Sequence, residues 1–174
     1  MNPATQRYDT TTRLFHWLSA MLIVGLYFYH PSTEHEVATP DPLVASLHIS
    51  IGALFLLLIL ARAGWKLSGN GRLPAPASSG EKQTILRNIT FRVFYIAMIA
   101  APVFGVLLAM TTELDYSLFG LTLPSLPAGL LPYGFMRSLH GFSADVIFYL
   151  AVLHAGTALY HQFIVKDGLL SRMA

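Results

Sequence analysis

Cysteine is absent from the sequence, and charged residues are scarce. The lack of cysteine excludes disulfides, and it excludes zinc or iron–sulfur sites held by thiolates. Any metal must therefore be bound by histidine, methionine or carboxylate side chains. Only 11% of the residues are charged, against about 25% in soluble domains, while 54% are hydrophobic and the mean hydropathy is +0.55. This composition is typical of an integral membrane protein, so we expect a lipid bilayer around the chain and no nucleic-acid partner.

Four apolar stretches are long enough to cross a bilayer core, which requires about 20 helical residues. These runs lack the alternation of barrel strands and exceed their length. The sequence therefore predicts an all-α integral membrane protein, a bundle of four transmembrane helices that forms a single domain over residues 1–174. No small-residue cleavage site follows the first run, so we expect that span to be retained. The predicted spans lie near residues 14–30, 43–62, 91–112 and 139–165.

Proline and glycine mark the connections between these spans. Segments 31–42 and 66–83 are predicted loops, and the apolar but Pro-broken segment 117–134 is expected to lie along the membrane surface. Asp9 is a candidate N-cap for the first helix, and Pro42 is expected to open the second.

Basic residues are distributed unevenly between the two ends of the predicted bundle. Ten of the eleven Lys and Arg residues fall on one side, and Arg137 is the exception. By the positive-inside rule, both termini are predicted to be cytoplasmic. The ten are Arg7, Arg13, Arg62, Lys66, Arg72, Lys82, Arg87, Arg92, Lys166 and Arg172.

Histidines are frequent in the apolar spans, where polar rings are energetically expensive and usually face the bundle interior. Any one of them is explained equally well as a core residue that is hydrogen-bonded to a carbonyl or a hydroxyl. As a set they indicate a bound cofactor. Five lie within or at the ends of the spans, His161 lies further along the fourth, and His35 lies in the outer loop; the five are His16, His30, His48, His140 and His154.

The spacing of His140 and His154 is informative. Fourteen residues of helix place them within about 40° of each other on one face and about 21 Å apart along the axis. One face with imidazoles at two depths suits two stacked haems, each iron taking a second histidine from a neighbouring helix. The predicted topology matches His48 with His140 at the outer level and His16 with His154 at the inner level.

Spacing alone leaves two alternatives. His30 also lies 14 residues after His16 and could replace His48, although its place in a fraying last turn favours His48. His161 follows His154 by seven residues and would lie about 10 Å deeper, where contact with a quinone or a haem propionate suits it better than ligation.

Several segments resemble the bacterial cytochrome b561 family. They are "RLFHWL", "LVASLHISIGALFLLLILARAGWK", "APVFG", "FGLTLP", "RSLHGFSADVIFYLAVLHAGTALYHQF" and "KDGLLSRM", and they cover almost the whole chain in one order. The resemblance is most specific to the members that oxidise superoxide. It implies a four-helix protein of the bacterial inner membrane that holds two haems b and exchanges electrons with ubiquinone.

The resemblance also implies roles for individual residues. The haem-ligand histidines of the family match His16, His48, His140 and His154, which decides against His30. The late histidine of the fourth span matches His161, which the family places near an inner quinone pocket. The chain departs from the family pattern at Phe91, where relatives often have histidine, and at Gly141, where they can have glutamate. Neither position is a ligand in the predicted pairs.

The resemblance suggests superoxide as the electron donor at the outer face. Arg137 precedes His140 by three residues and could attract this anion, but an interfacial anchor or a propionate partner explains it equally well. At the inner face Arg13, Arg62 and Lys66 are candidates to hold propionates or a quinone head group. Trp17 and His161 are candidates to line the quinone site.

Three functions are compatible with these observations. The first is a superoxide oxidase that passes electrons to ubiquinone. The second is a cytochrome b subunit that relays electrons between a partner dehydrogenase and the quinone pool. The third is a haem-free transporter that moves protons on its histidines. For the intramembrane Asp145 we expect a hydrogen bond to a neighbouring helix rather than a proton relay, and Gly105 is expected to allow close helix contact.

Overall fold

A computed structural model of the chain describes residues 7–31, 41–71 and 80–173. Four long helices dominate it, as the sequence predicted, and a π-helical turn at His161–Val165 extends the fourth. A short 3₁₀ turn at Leu170–Arg172 follows. The predicted loop residues His35 and Arg72 lie outside the described residues. The helices are α1 (Thr10–Phe28), α2 (Pro42–Leu67), α3 (Glu81–Met110) and α4 (Tyr133–Tyr160).

Local sequence signals explain where the first two helices begin. Asp9 is the N-cap of α1, as predicted, and its carboxylate accepts a hydrogen bond from the Thr12 amide at 2.9 Å. Asp41 caps α2 through the Leu43 amide, and Pro42 occupies the first helical position. These contacts satisfy amides that have no partner inside the helix.

The helices differ in length from the apolar runs that predicted them. α2 continues to Leu67 instead of ending near 62, α3 begins at Glu81 instead of near 91, and α4 begins at Tyr133 instead of near 139. Hydrophobicity marks only the part of a helix that suits the lipid core. Backbone hydrogen bonds continue the helix into the polar interface, where hydropathy gives no signal.

Three of the helices described are long and apolar enough to cross a membrane: α2, the Thr84–Met110 part of α3, and Tyr133–Val165. α1 has 19 residues, and its first turn is polar, so its crossing of the bilayer stays a prediction. The outward residues Met21, Val24 and Phe28 of α1 are nevertheless exposed and apolar, as expected for contact with lipid.

The helices pack as a closed ring in which each contacts the next and α4 returns to α1. At mid-height the buried side chains of α2, α3 and α4 form one apolar cluster. Ile59 is fully buried there. This layer separates the two ends of the bundle; its members are Phe55, Ile59, Ala97, Met98, Ala101 and Ile147.

A small antiparallel hairpin, which the all-helical prediction did not include, lies between α3 and α4. Its strands are β1 (Ser117–Leu118) and β2 (Leu121–Thr122). The hydroxyls of Ser46 and Ser50 on α2 accept hydrogen bonds from the amides of Ser117 and Phe119, each at 3.0 Å. The hairpin is thereby fixed against the beginning of α2.

Candidate functional site

His48 of α2 and His140 of α4 face each other near the beginnings of their helices. Their ring centroids are 6.1 Å apart, and the ring planes are inclined by 83°. Because α2 and α4 run in the same direction, their first turns lie at the same level of the bundle. The structure thus brings together the pair that topology predicted for the outer level.

Both rings of this outer pair are oriented by backbone carbonyls. His48 Nδ1 lies 3.1 Å from the carbonyl oxygen of Tyr29, and His140 Nδ1 lies 2.8 Å from that of Ala101. A carbonyl oxygen can only accept, so each Nδ1 carries the proton and donates it. Each Nε2 then keeps its lone pair, which is the form a metal-bound imidazole requires.

A cavity of about 570 Å³ surrounds the outer pair. Its volume falls within the roughly 300–1,000 Å³ of typical cofactor sites. Small residues form part of its wall, including Gly52, Gly105 and Ala144. A Cβ at Gly52 would meet nothing within 4 Å, so this wall leaves open space beside the histidines. The cavity is large enough to accept a cofactor between the helices.

His16 of α1 and His154 of α4 form a second pair toward the other end of the bundle. Their ring centroids are also 6.1 Å apart, with planes inclined by 70°. Phe94 lies against His154 with a centroid distance of 6.2 Å. Arg62 of α2 is close enough for its charge to act on both histidines. A cation beside the pair is suited to a haem propionate.

The two pairs fit haem iron better than a metal held by protein alone. Among the described residues, no group of three or more His, Cys, Asp or Glu side chains could hold an ion. Protein-bound zinc needs three or four such ligands, whereas haem iron needs only axial ones. Two imidazoles that bind one metal from opposite sides, through bonds of about 2 Å, have centroids roughly 6 Å apart. Both observed separations match this value.

His30 lies beyond the end of α1, where it is exposed and lines the outer cavity. The ring that faces His140 belongs to His48 instead. The alternative that spacing left open, with both second ligands on α1, therefore has no geometric support.

The predicted quinone residues meet the C-terminal segment, residues 166–173. The Trp17 indole N–H donates to the carbonyl of Met173 at 3.0 Å, and His161 Nδ1 lies 2.6 Å from a carboxylate oxygen of Asp167. Partial burial raises the pKa of Asp167, but hydrogen bonds from His161 and Leu169 outweigh it and leave that pKa below its ordinary value. The sequence did not predict these contacts, and the quinone role of both residues stays a prediction.

Of the predicted basic residues, Arg137 lies beside the outer histidine pair and Arg62 beside the inner one, whereas Lys66 lies against the rings of Phe91 and Tyr95. Arg137 is exposed and lines the outer cavity with His48 and His140. Tyr116 lines the same cavity. Burial, together with the nearby Tyr133, raises the pKa of the Tyr116 hydroxyl.

Arg13 precedes His16 by three residues in α1, and its Nε atom is buried. The positions of Arg137 at the outer end and Arg13 at the inner end of the bundle agree with a role in holding anionic groups.

Asp145 of α4 accepts a hydrogen bond from the Tyr27 hydroxyl of α1 at 3.1 Å. The expected bond to a neighbouring helix is confirmed. Tyr27 also stacks on Phe148, with ring centroids 3.9 Å apart. Sequence reasoning did not identify Tyr27, because nothing in an apolar helix distinguishes one aromatic residue from another.

Comparison with known proteins identifies the family of the chain. The family model described as prokaryotic cytochrome b561 matches residues 7–174. "Cytochrome b561 homolog 2" of Escherichia coli K12 is 29% identical over 181 residues, covering 97% of this chain and 91% of the relative. The Yersinia pestis protein named "probable superoxide oxidase" is 24% identical, covering 97% and 96%. "Cytochrome b561 homolog 1" of Escherichia coli is also 24% identical, covering 96% of each chain.

These matches confirm the predicted family, the bacterial membrane location and a role in electron transfer. Membership also implies that the chain binds haem b, for which the two histidine pairs are the candidate ligands. The chain belongs to the prokaryotic cytochrome b561 family.

Proposed function

We propose that the protein is a di-haem superoxide oxidase, which takes electrons from superoxide at the outer face and delivers them to ubiquinone at the inner face. His48 and His140 hold the outer haem, and His16 and His154 hold the inner one. The observation that carries the proposal is the presence of two histidine pairs with the same 6.1 Å separation at two levels of one bundle.

Held by these two histidine pairs, haem would supply a one-electron couple suited to outer-sphere electron transfer rather than to binding of oxygen. The carbonyls of Tyr29 and Ala101 hold the outer imidazoles in the metal-binding tautomer. The apolar layer around Ile59 excludes water between the two levels. Arg137 at the mouth of the outer cavity adds positive charge where an anionic donor would approach.

The overall reaction balances in electrons and protons. Two superoxide anions each lose one electron and leave as dioxygen. One ubiquinone accepts the two electrons and two protons and becomes ubiquinol.

On the inner side, Trp17 and His161 are the proposed quinone contacts, and Arg13 is a candidate to hold a propionate or the quinone head group. Support for the superoxide step comes from a relative at 24% identity that is named a probable superoxide oxidase.

The test uses purified protein in detergent, with haem quantified per chain and the reduced-minus-oxidised spectrum recorded. Superoxide is then generated by pulse radiolysis with and without a short-chain ubiquinone. We expect two haems b, haem reduction that outpaces the spontaneous dismutation of superoxide, and reoxidation by the quinone. One haem or none per chain would overturn the two-site assignment.

If two haems are present and superoxide does not reduce them, the superoxide step is wrong. Reduction by a co-purifying dehydrogenase would then favour the second function, a cytochrome subunit between that enzyme and the quinone pool. The haem count and the rate measurement thus test the sites and the donor separately.

A further inference from the structure

A second cleft, whose lining includes none of the four paired histidines, lies between the end of α2 and the first half of α3. Its volume is about 180 Å³, and its lining contains two basic residues, one amide and two aromatic rings. It lies at the end of the bundle where basic residues concentrate. The lining residues are Lys66, Asn88, Phe91, Arg92 and Tyr95.

Helical spacing explains why these groups converge. Asn88, Arg92 and Tyr95 follow one another at intervals of four and three residues, which places them on one face of α3. Lys66 reaches this face from the last turn of α2, and its ammonium lies 5.5 Å from the Phe91 ring centroid and 5.3 Å from that of Tyr95. The two rings thus hold the Lys66 ammonium at the cleft.

The cleft concentrates positive charge. Arg62, one turn before Lys66 on α2, extends to within 6.0 Å of the same Tyr95 ring. No carboxylate is among the residues that line the cleft. An anion bound between Lys66 and Arg92 would be attracted by both charges, and the Asn88 amide could donate a hydrogen bond to it.

The surroundings indicate the source of the anion. Ile89, Val93 and Ile96 on α3 are exposed and apolar, so the cleft borders the lipid-facing surface rather than open water. Its volume is below the roughly 300 Å³ at which whole-ligand pockets begin, so a head group fits while acyl chains remain outside. Basic pockets between membrane helices on the cytoplasmic side bind anionic lipid head groups.

We propose that this cleft binds the phosphate group of an anionic phospholipid. The ionic contacts are Lys66 and Arg92, Asn88 donates a hydrogen bond, and the acyl chains lie along the apolar surface beside α3. A phosphate group is also available as the free ion, so the experiment includes both sources. The proposal does not depend on the superoxide step or on haem binding, because none of these residues belongs to the histidine pairs. It assigns Lys66 to a lipid phosphate in place of the haem propionate or quinone head group for which the sequence made it a candidate.

The test measures thermal stabilisation and native mass spectra of delipidated protein in detergent. Dioleoylphosphatidylglycerol, dioleoylphosphatidylcholine, inorganic phosphate and a short-chain ubiquinone are added separately. The variant K66Q/R92Q is compared with K82Q/R87Q, which removes the same charge from residues of α3 that do not line the cleft. Each basic residue near an anionic lipid contributes about a fivefold factor, so K66Q/R92Q should bind phosphatidylglycerol about 25-fold more weakly.

The expected result is that phosphatidylglycerol stabilises the wild type and K82Q/R87Q, while phosphatidylcholine stabilises neither. Equal binding to all variants, or no preference for the anionic lipid, would overturn the proposal. Equal stabilisation by inorganic phosphate would keep the phosphate site and assign it to the free ion. Thermal stabilisation by ubiquinone but not by phosphatidylglycerol would overturn the proposal. Should K66Q/R92Q fail to fold, the exposed R92Q alone provides the same comparison with an expected fivefold effect.

Discussion

Gly105 of α3 faces the ring of His140 at a distance that leaves no room for a methyl group. A Cβ added at Gly105 would lie 2.9 Å from His140 Cε1 and 3.0 Å from Nδ1. One turn earlier on α3, the carbonyl of Ala101 accepts the hydrogen bond from the same ring. The close approach of α3, which the sequence predicted from this glycine, therefore fixes the position of an outer-pair histidine.

We expect Gly105→Ala to displace the His140 ring and to weaken its hydrogen bond with Ala101. Because the methyl group would meet a ring held between two helices, the ring must move and the helices must separate slightly. The outer haem should be lost in a large fraction of molecules, so haem content should fall from about two toward about one per chain. Haem extraction and visible spectra of the purified variant measure this.

Gly64→Ala is the matched control, because a Cβ at Gly64 would meet nothing within 4 Å. It makes the same chemical change inside α2, where alanine also favours the helix. Equal haem contents in the two variants would show that the space beside His140 is not what limits haem binding.

Replacement of His48 should remove the outer haem and leave the inner one. His48→Ala deletes the ring that faces His140 at 6.1 Å, while His16 and His154 keep their own contact. We expect about one haem per chain and loss of one redox transition in a potentiometric titration.

His30→Ala provides the control for this replacement. His30 also lines the outer cavity, but it lies beyond the end of α1, and the ring paired with His140 belongs to His48. We expect two haems and two transitions in this variant. If His30→Ala lost the outer haem and His48→Ala kept it, the ligand assignment would be wrong.

The histidine pairs could be predicted because they depend on quantities that a sequence contains. A spacing of 14 residues fixes both the face and the depth of His140 and His154, whatever the neighbouring helices do. The alternating direction of successive spans then decides which neighbour shares each level. His16 followed from that rule, whereas at the outer level the rule allowed both His48 and His30. The family resemblance selected His48, and the ring distances agree with that choice.

Contacts between distant segments could not be predicted in this way. The hydrogen bond from Trp17 to Met173 joins residues 156 positions apart, and hydrophobic periodicity gives no information about such a pair. The hairpin at Ser117 had one overlooked signal. Ser46 and Ser50 stand one turn apart in an apolar helix, and besides donating to a carbonyl of their own helix, such hydroxyls can accept hydrogen bonds from another segment.

The N-cap of α1 should show a pH dependence that comes from Asp9. Hydrogen bonds from the Thr12 hydroxyl, at 2.6 Å, and from the Thr12 amide lower the pKa of Asp9 below its ordinary value of 3.8. A lowered pKa in the folded state means that the ionised carboxylate stabilises the helix fully above pH 3.8 and loses this effect as the pH falls through the folded value. Hydrogen exchange of a peptide covering the first turn measures the change.

Asp9→Asn is the reference for this experiment, because asparagine also caps helices but does not titrate. The ratio of exchange rates between wild type and Asp9→Asn should be constant from pH 7 to 5 and should change only below about pH 4. Asp9→Ala should exchange faster than both at every pH. A change in the ratio between pH 7 and 5 would contradict a lowered pKa of Asp9.

Removal of the charge on Arg137 should slow the reaction with superoxide without affecting haem binding. Arg137 lines the mouth of the outer cavity, and a positive charge there raises the local concentration of an anionic donor. We expect Arg137→Gln to lower the second-order rate of haem reduction by superoxide by about two- to tenfold. The loss should shrink as ionic strength rises, because salt screens charges beyond a Debye length of about 10 Å at 0.1 M.

Lys82→Gln tests whether this effect depends on position or only on net charge. Lys82 lies in the first turn of α3, whose far end approaches the outer hairpin, so the same charge is removed from the other end of the bundle. Its rate and salt dependence should equal those of the wild type. Arg137→Gln could also keep the wild-type rate and salt dependence with two haems bound. The native guanidinium would then be an interfacial anchor or a propionate partner, and superoxide would reach the outer haem without being attracted by Arg137. If instead the variant lost a haem, the propionate role would be favoured, since a docking residue acts on the rate alone.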